Sequence, residues 1–309
     1  MSDTYLITGC CGFIGSNACE FIIKKGHNVV GIDNLLTGKI KNIEHLLKNK
    51  NFRFIEHDVC LHFEINTKIN KILHFASTAS PKDYLKYPIE TLRTGSLGTE
   101  NILKIGLKNK ATVLVASTSE IYGDPLEHPQ NESYFGNVNP IGPRGVYDEA
   151  KRYLEALSMA YFRKWNLDVK IVRIFNTYGP KMKADDGRAI PNFINQALKN
   201  KDITIYGDGS QTRSFCYIDD TIKGIYNFLH SCYNYPINIG NPTEYSILEL
   251  SQKILELTSS ESKLSFQKLP ENDPKVRRPD IKLAKDVLNW IPKTNLEDGL
   301  KKTIDYFCQ

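Results

Sequence analysis

Cysteine is sparse and badly placed for metal: seven occur in 309 residues, only Cys10-Cys11 adjacent, with no Cys-x-x-Cys or Cys/His array of the kind a zinc site needs. No metal is expected, and a reducing compartment, the cytosol, is. Long apolar runs are missing as well. No segment approaches the length of a membrane span, and the opening MSDTYLITG enters a strand without the basic start and extended apolar stretch of a signal peptide. Charge of one sign is nowhere gathered into blocks. Lys plus Arg number 40 against 35 Asp plus Glu, a surplus spread along the chain, so a solvated surface is expected rather than a nucleic-acid footprint or a membrane partner. Between Lys24 and Lys50 the lysines alternate with Ile40, Ile43, Leu46 and Leu47, a spacing that predicts an amphipathic helix. Repeats, low-complexity tracts and linkers are absent too, which predicts one compact unit.

What is present is ordinary globular usage, 41% hydrophobic and 24% charged, arranged in alternating strand and helix patterns. Short apolar runs at Tyr5 to Thr8, Val29 to Ile32, Phe52 to Glu56, Ile72 to Phe75, Val113 to Ala116 and Val169 to Phe175 predict strands. Helical spacing at Asn17 to Lys24, Ile89 to Leu107 and Tyr147 to Trp165 predicts the covering helices. Beyond Phe175, Gly and Pro punctuate the chain, and further helices are expected at Asp220 to Leu229, Ile247 to Leu257 and Leu296 to Phe307. The fold class is therefore α/β, a Rossmann-type doubly wound parallel sheet with a smaller α/β substrate-binding domain. The expected division assigns 1–178 and 213–240 to the sheet domain and 179–212 and 241–309 to the smaller one.

Gly9, Gly12 and Gly15 form GxxGxxG between the first strand and the first helix, where glycines permit a tight turn and close approach of a pyrophosphate to free N–H groups. Asp33 follows at the end of the second strand, the place for a carboxylate that accepts hydrogen bonds from an adenosine ribose and repels a 2′-phosphate. The cofactor expected is NAD. Asp58, after the third strand, occupies a similar carboxyl end. Tyr147 and Lys151 form YxxxK at a helix start, one turn apart on one face, so an ammonium would favour the phenolate and let Tyr147 act as general base near neutral pH. Ser117-Thr118-Ser119-Glu120 closes the fifth strand with hydroxyls and one carboxylate, suited to orienting a sugar. Arg188, Arg213 and Arg278 lie near Gly/Pro-rich loops and suit phosphates or a carboxylate.

At these residues the chain resembles the UDP-glucuronate decarboxylases, or UDP-xylose synthases, of the extended short-chain dehydrogenase family. The resemblance runs from TGCCGFIGSN and IDNLLTGKIKNIEHL through HFASTASPKDY and ASTSEIYGDP to NPIGPRGVYDEAKR, RIFNTYGPKM, DDGRAIPNFI and YGDGSQTRSFCYIDD, with the last sixty or so residues looser except RRPDI. It implies that Thr118, Ser119 and Glu120 face sugar and nicotinamide, that Tyr147 and Lys151 carry the redox step, and that Arg213 helps place or protonate the substrate. It further implies cofactor contacts from Phe13, Ile14, Asn34, Thr37, Gly38, Asp58, Val59 and Ala76. Tyr84, Arg93, Asn176, Arg188, Tyr206, Gln211 and Arg278 would hold the UDP-sugar, and the family commonly forms homodimers through helices. Arg93 and Gly95 stand where TLKTN is usual, and Thr78 replaces a common Pro, so the chain departs from the family pattern around Tyr84 and Arg93.

The chemistry so implied is coherent, because oxidising C4 of a glucuronate makes a β-keto acid, which loses carbon dioxide readily; hydride return would give UDP-xylose. A nucleotide-sugar 4,6-dehydratase shares the oxidation but needs an acid where this chain has Ser119. A 4-epimerase needs only the Tyr/Lys pair and room for the sugar to turn. A dinucleotide sensor without chemistry would have no use for Tyr147 and Lys151.

Overall fold

The computed structural model describes residues 2–268 and 276–309. Its strands are β1 (Thr4–Thr8), β2 (Asn28–Asp33), β3 (Phe52–Glu56), β4 (Lys71–His74), β5 (Thr112–Thr118), β6 (Val169–Ile174), β7 (Thr177–Tyr178), β8 (Ile203–Tyr206), β9 (Thr212–Ser214), β10 (Cys216–Tyr217), β11 (Ile237–Ile239), β12 (Glu244–Ser246) and β13 (Leu264–Gln267). The helices are α1 (Phe13–Lys24), α2 (Pro81–Lys86), α3 (Pro88–Arg93), α4 (Thr99–Asn109), α5 (Gly145–Trp165), α6 (Ala189–Leu198), α7 (Ile218–Leu229), α8 (Ile247–Thr258), α9 (Lys282–Leu288) and α10 (Leu296–Phe307). None of the described helices is long and apolar enough to cross a membrane.

Seven strands form one parallel sheet in the order β11-β6-β5-β4-β1-β2-β3. Both faces are covered, so the strands carry continuous apolar runs and successive side chains divide between two cores. Ile7, Leu73, Leu114 and Val172 pack on one side with Ile22 of α1 and Ile225 and Phe228 of α7. Their neighbours Leu6, Ile72, Val113 and Ile171 pack on the other with Ile102 of α4 and Leu154 of α5. Strand order reverses between β1 and β4, and the register aligns Thr8 with Ile32 and His74, so Gly9, Asp33 and Phe75 emerge together at the carboxyl edge. Such a switch point is where open α/β sheets bind ligands. After β6 the chain builds three two-stranded ladders, β10-β7, β12-β9 and β13-β8, with α6, α8 and α10 packed nearby.

Two expectations change. The stretch around Ile40 to Leu47 is not an amphipathic helix but two short 3-10 turns, Ile40–Asn42 and Glu44–Leu46, with Ile43 and Leu46 buried and Ile40 and Leu47 exposed. Its backbone is committed elsewhere: the Lys39 N–H and the Asn42 side-chain amide both donate to the Cys11 carbonyl, at 3.1 and 2.9 Å, tying the segment to the glycine turn. The helix expected over Ile89 to Leu107 is interrupted by a π turn at Thr94–Gly98. Gly95 lies in that turn against α5, where a Cβ would stand 2.8 Å from the Ala150 carbonyl oxygen, so a side chain at 95 would push the two helices apart.

Candidate active site

A single cavity of about 1030 Å³ runs along the carboxyl edge of the sheet from the β1-α1 turn to the loops after β6. That exceeds the usual room for one drug-sized ligand. At one end the glycines are required by contact. Gly9 has φ +68°, and a Cβ there would lie 2.8 Å from the Ala76 nitrogen; a Cβ on Gly15 would lie 2.1 Å from the Gly9 oxygen. The α1 N-cap is Gly12, which has no capping side chain, so the helix start leaves backbone donors for an anion. The Asp33 carboxylate is fixed by the N–H groups of Cys11 and Leu35, each at 2.9 Å. Burial pushes its pKa up while those two donors pull it down. A turn stripped of side chains, a helix N-terminus and an oriented carboxylate fit the pyrophosphate and ribose of a dinucleotide. Phe13, Ile14, Asn34, Thr37, Gly38, Val59 and Ala76 line the same end. Asp58 does not line the cavity; it accepts from the Cys60 N–H at 2.8 Å and from the Asn34 side chain at 3.3 Å, and so braces a lining residue.

At the middle, β5 delivers Thr118 and the short turn Ser119–Tyr122 delivers Ser119 and Glu120, while the start of α5 presents Tyr147 and Lys151 to the same space. Tyr147 stacks on the Tyr84 ring, centroids 5.2 Å apart and planes within 10°. The ammonium of Lys151 donates to the Ala116 carbonyl at 2.7 Å and lies 5.7 Å from the Tyr147 ring centroid. Burial brings Lys151 down to about 8. Tyr147 differs from the sequence expectation: burial pushes its phenol above the ordinary value, and a Thr118 hydrogen bond opposes this only in part. Burial thus keeps the phenol protonated, with the Lys151 ammonium directed at a carbonyl.

Glu120 is surrounded by guanidiniums. Arg144 donates to its carboxylate at 2.6 Å and Arg277 approaches the same oxygen at 3.4 Å. Burial alone would raise its pKa, but Arg277, Arg144 and Arg213 hold it down to about 2. Arg188 pairs with Asp186 through two nitrogens, and Asn176, Tyr206, Gln211 and Arg213 line the far end of the cavity. Two of the expected UDP-sugar contacts lie elsewhere. Arg93 is exposed at the end of α3 and does not line the cavity. Arg278 points away as well, 40% exposed and 3.6 Å from Glu244.

The model of the GDP-mannose 4,6 dehydratase family matches residues 6–303. UDP-glucuronic acid decarboxylase 1 of Danio rerio is 47% identical over 304 residues, 98% of this chain and 72% of that protein. UDP-glucuronic acid decarboxylase 4 of Arabidopsis thaliana is 44% identical over 98% of this chain and 68% of its own. The chain belongs to the UDP-glucuronic acid decarboxylase family. Among solved structures, UDP-glucuronic acid 4-epimerase from Bacillus cereus, in complex with UDP-glucuronic acid and NAD, aligns over 99% of both chains with a TM-score of 0.83 at 31% identity.

Within the family member described here, Arg277 occupies the position that the sequence reading gave to Arg278. It is 2% exposed and donates to the carbonyls of Ser119 and of Gly123, the latter at 2.9 Å. The two arginines belong to an extended segment, where successive side chains face opposite ways, so one points to the cavity and its neighbour to solvent. Arg144 was also missed. Its signal was available, since it immediately precedes the YxxxK helix start, but nothing in the sequence pairs it with Glu120 across 24 residues.

Proposed function

We propose that the protein converts UDP-glucuronate to UDP-xylose and carbon dioxide through a 4-keto sugar, with NAD regenerated in each turnover. The observation that carries this reading is the strand-end cluster. Its one carboxylate, Glu120, is held ionised by Arg277, Arg144 and Arg213, and Ser119 stands where a dehydratase needs an acid. A site that lacks an acid for a leaving hydroxyl is suited to losing carbon dioxide, which needs none. The family relatives support the same reaction.

NAD, which the Gly9–Gly15 turn and Asp33 would hold, would supply the hydride acceptor for C4 and the donor for its return, and its positive charge would favour the Tyr147 phenolate. Tyr147, steadied by Thr118 and Tyr84, takes the C4 hydroxyl proton. Once C4 is a ketone, the bond from C5 to the carboxylate breaks, carbon dioxide leaves and the electron pair flows into the C4 oxygen; a proton from solvent then adds at C5, restoring the C4 ketone that the returning hydride reduces. The Tyr147 phenol, its proton retained by burial, donates to that developing enolate. Arg188 and Arg213 suit the pyrophosphate, and Tyr84, Asn176, Tyr206 and Gln211 enclose the nucleotide and sugar. In this reading residues 1–178 and 213–240 serve the cofactor and 179–212 and 241–309 the UDP-sugar. A homodimer is supported by apolar side chains left exposed on neighbouring helices, Ile89 at 62%, Leu97 at 44% and Tyr153 at 51%, and light scattering tests it against the 35.2 kDa chain mass. Free thiols throughout the described residues support the cytosol.

The deciding experiment incubates purified protein with UDP-glucuronate and NAD and follows the sugar nucleotide by mass spectrometry. Loss of carbon dioxide to give a UDP-pentose is the expected result. Unchanged mass with inverted C4 would make it an epimerase, the reading that likeness to the Bacillus cereus enzyme favours. Water loss from UDP-glucose or dTDP-glucose would make it a dehydratase.

A further inference from the structure

The variable positions of the glycine turn hold two thiols that neither the redox step nor sugar binding uses. Cys10 and Cys11 are fully buried, with their sulfurs 3.9 Å apart. Their sulfurs and an Asp33 carboxylate oxygen all lie within 4.8 Å of one another, a grouping of donors unique among the described residues. Parallel pairing of β1 with β2 brings Asp33 there from 22 positions along the chain, so no sequence spacing announces it.

We propose that Cys10, Cys11 and Asp33 form an inhibitory site for a thiophilic divalent cation, zinc. Two thiolates at about 2.3 Å from a tetrahedral zinc stand about 3.8 Å apart, the separation already present, so the sulfurs need little movement. A carboxylate oxygen makes a third ligand of the kind zinc accepts. The frame is held in place: the Cys11 N–H donates to Asp33, and the Cys11 carbonyl accepts from Lys39 and Asn42. Gly38 carries no side chain over the site, where a Cβ would come within 2.9 Å of both Cys11 and Asp33. Cys11 and Asp33 border the cavity, which supplies the entry path and leaves a fourth position for water. On binding, each thiol releases its proton to solvent as its sulfur takes the ion. The inhibitory half rests on Asp33 holding the adenosine ribose, because one carboxylate cannot serve both.

The test uses nucleotide-free, full-length protein with Cys60, Cys232 and Cys308 replaced by Ser, which removes the exposed and half-buried thiols. Cadmium is titrated as the probe and its thiolate charge-transfer absorption followed, with zinc then added to displace it. One equivalent should bind, the band should vanish in Cys10→Ser and Cys11→Ser, and Asp33→Asn should weaken uptake at least about tenfold. Prior saturation with NAD should lower the apparent cadmium affinity. Cadmium NMR of the unsubstituted protein counts the sulfurs should a variant not fold, and a resonance without two sulfurs overturns the site. No uptake by protein that still turns over UDP-glucuronate overturns the ion site and leaves the function standing. Uptake through both cysteines that NAD does not affect overturns the shared use of Asp33 and the inhibition with it.

Discussion

In the proposed reaction the Tyr147 hydroxyl has two duties, and both depend on its surroundings. Its ring is locked against Tyr84 at 5.2 Å, so removing the oxygen leaves the packing intact. Burial keeps the phenol protonated without ligand, and Thr118 is the hydrogen-bond partner that works against burial. Tyr147→Phe therefore tests chemistry apart from structure. With UDP-glucuronate as substrate, turnover should fall at least about a hundredfold, while NAD affinity by titration and the thermal midpoint stay at wild-type values. Turnover within about threefold of wild type would remove Tyr147 from the proton transfer.

At the scale of elements, α5 carries more than Tyr147 and Lys151, the pair proposed to be catalytic. Asp148, next to Tyr147, is 7% exposed, and its Oδ1 is buried with no hydrogen-bond partner. Burial first, and then the Glu120 charge, raise it to about 7 from 3.8, against the attraction of Arg144 and Arg277. The unfolded chain releases this proton near 3.8 and the folded one near 7, so stability falls as pH rises across that window and stays lowered above it. Asp148→Asn removes the group that must ionise. Its thermal midpoint should match wild type near pH 4 and exceed it by at least about 2 °C at pH 8 by calorimetry. A gain of equal size at both values would mean that the effect is packing and not charge. The same helix marks what a sequence can reveal. Its start is legible because YxxxK places two side chains on one face, and β5 is legible because Val113 to Ala116 are apolar on both faces of a covered sheet. Asp148 is not, since nothing local distinguishes a buried carboxylate from the half-buried Glu149 paired with Arg152. Arg277 and Arg278 could be separated only by knowing which way an extended segment turns. The stretch from Ile40 to Leu47 has helical spacing, and a contact from Asn42 to the glycine turn 31 residues earlier overrides it.

For the molecule as a whole, Glu120 is the point at which distant stretches meet: the end of β5, the residue before α5, and the segment carrying Arg277, 157 residues away. Its pKa of about 2 lies below the ordinary 4.5, so the unfolded chain takes up the extra proton between those values and stability rises with pH across them. The contribution is fully present above about 4.5 and lost by about 2, and its size follows from that displacement as about 3 kcal/mol. Glu120→Gln imitates the protonated carboxyl at every pH and leaves Arg144 and Arg277 without a counter-charge. Asp148 lies within the field of the same arginines and would ionise to replace it, so the comparison belongs in an Asp148→Asn background. There, urea unfolding should show Glu120→Gln less stable by about 3 kcal/mol at pH 7, with the gap closing as pH falls through the window. A gap that stays constant from pH 7 down to acid would show that Glu120 acts through shape, and the three arginines would then need another reason to converge on it.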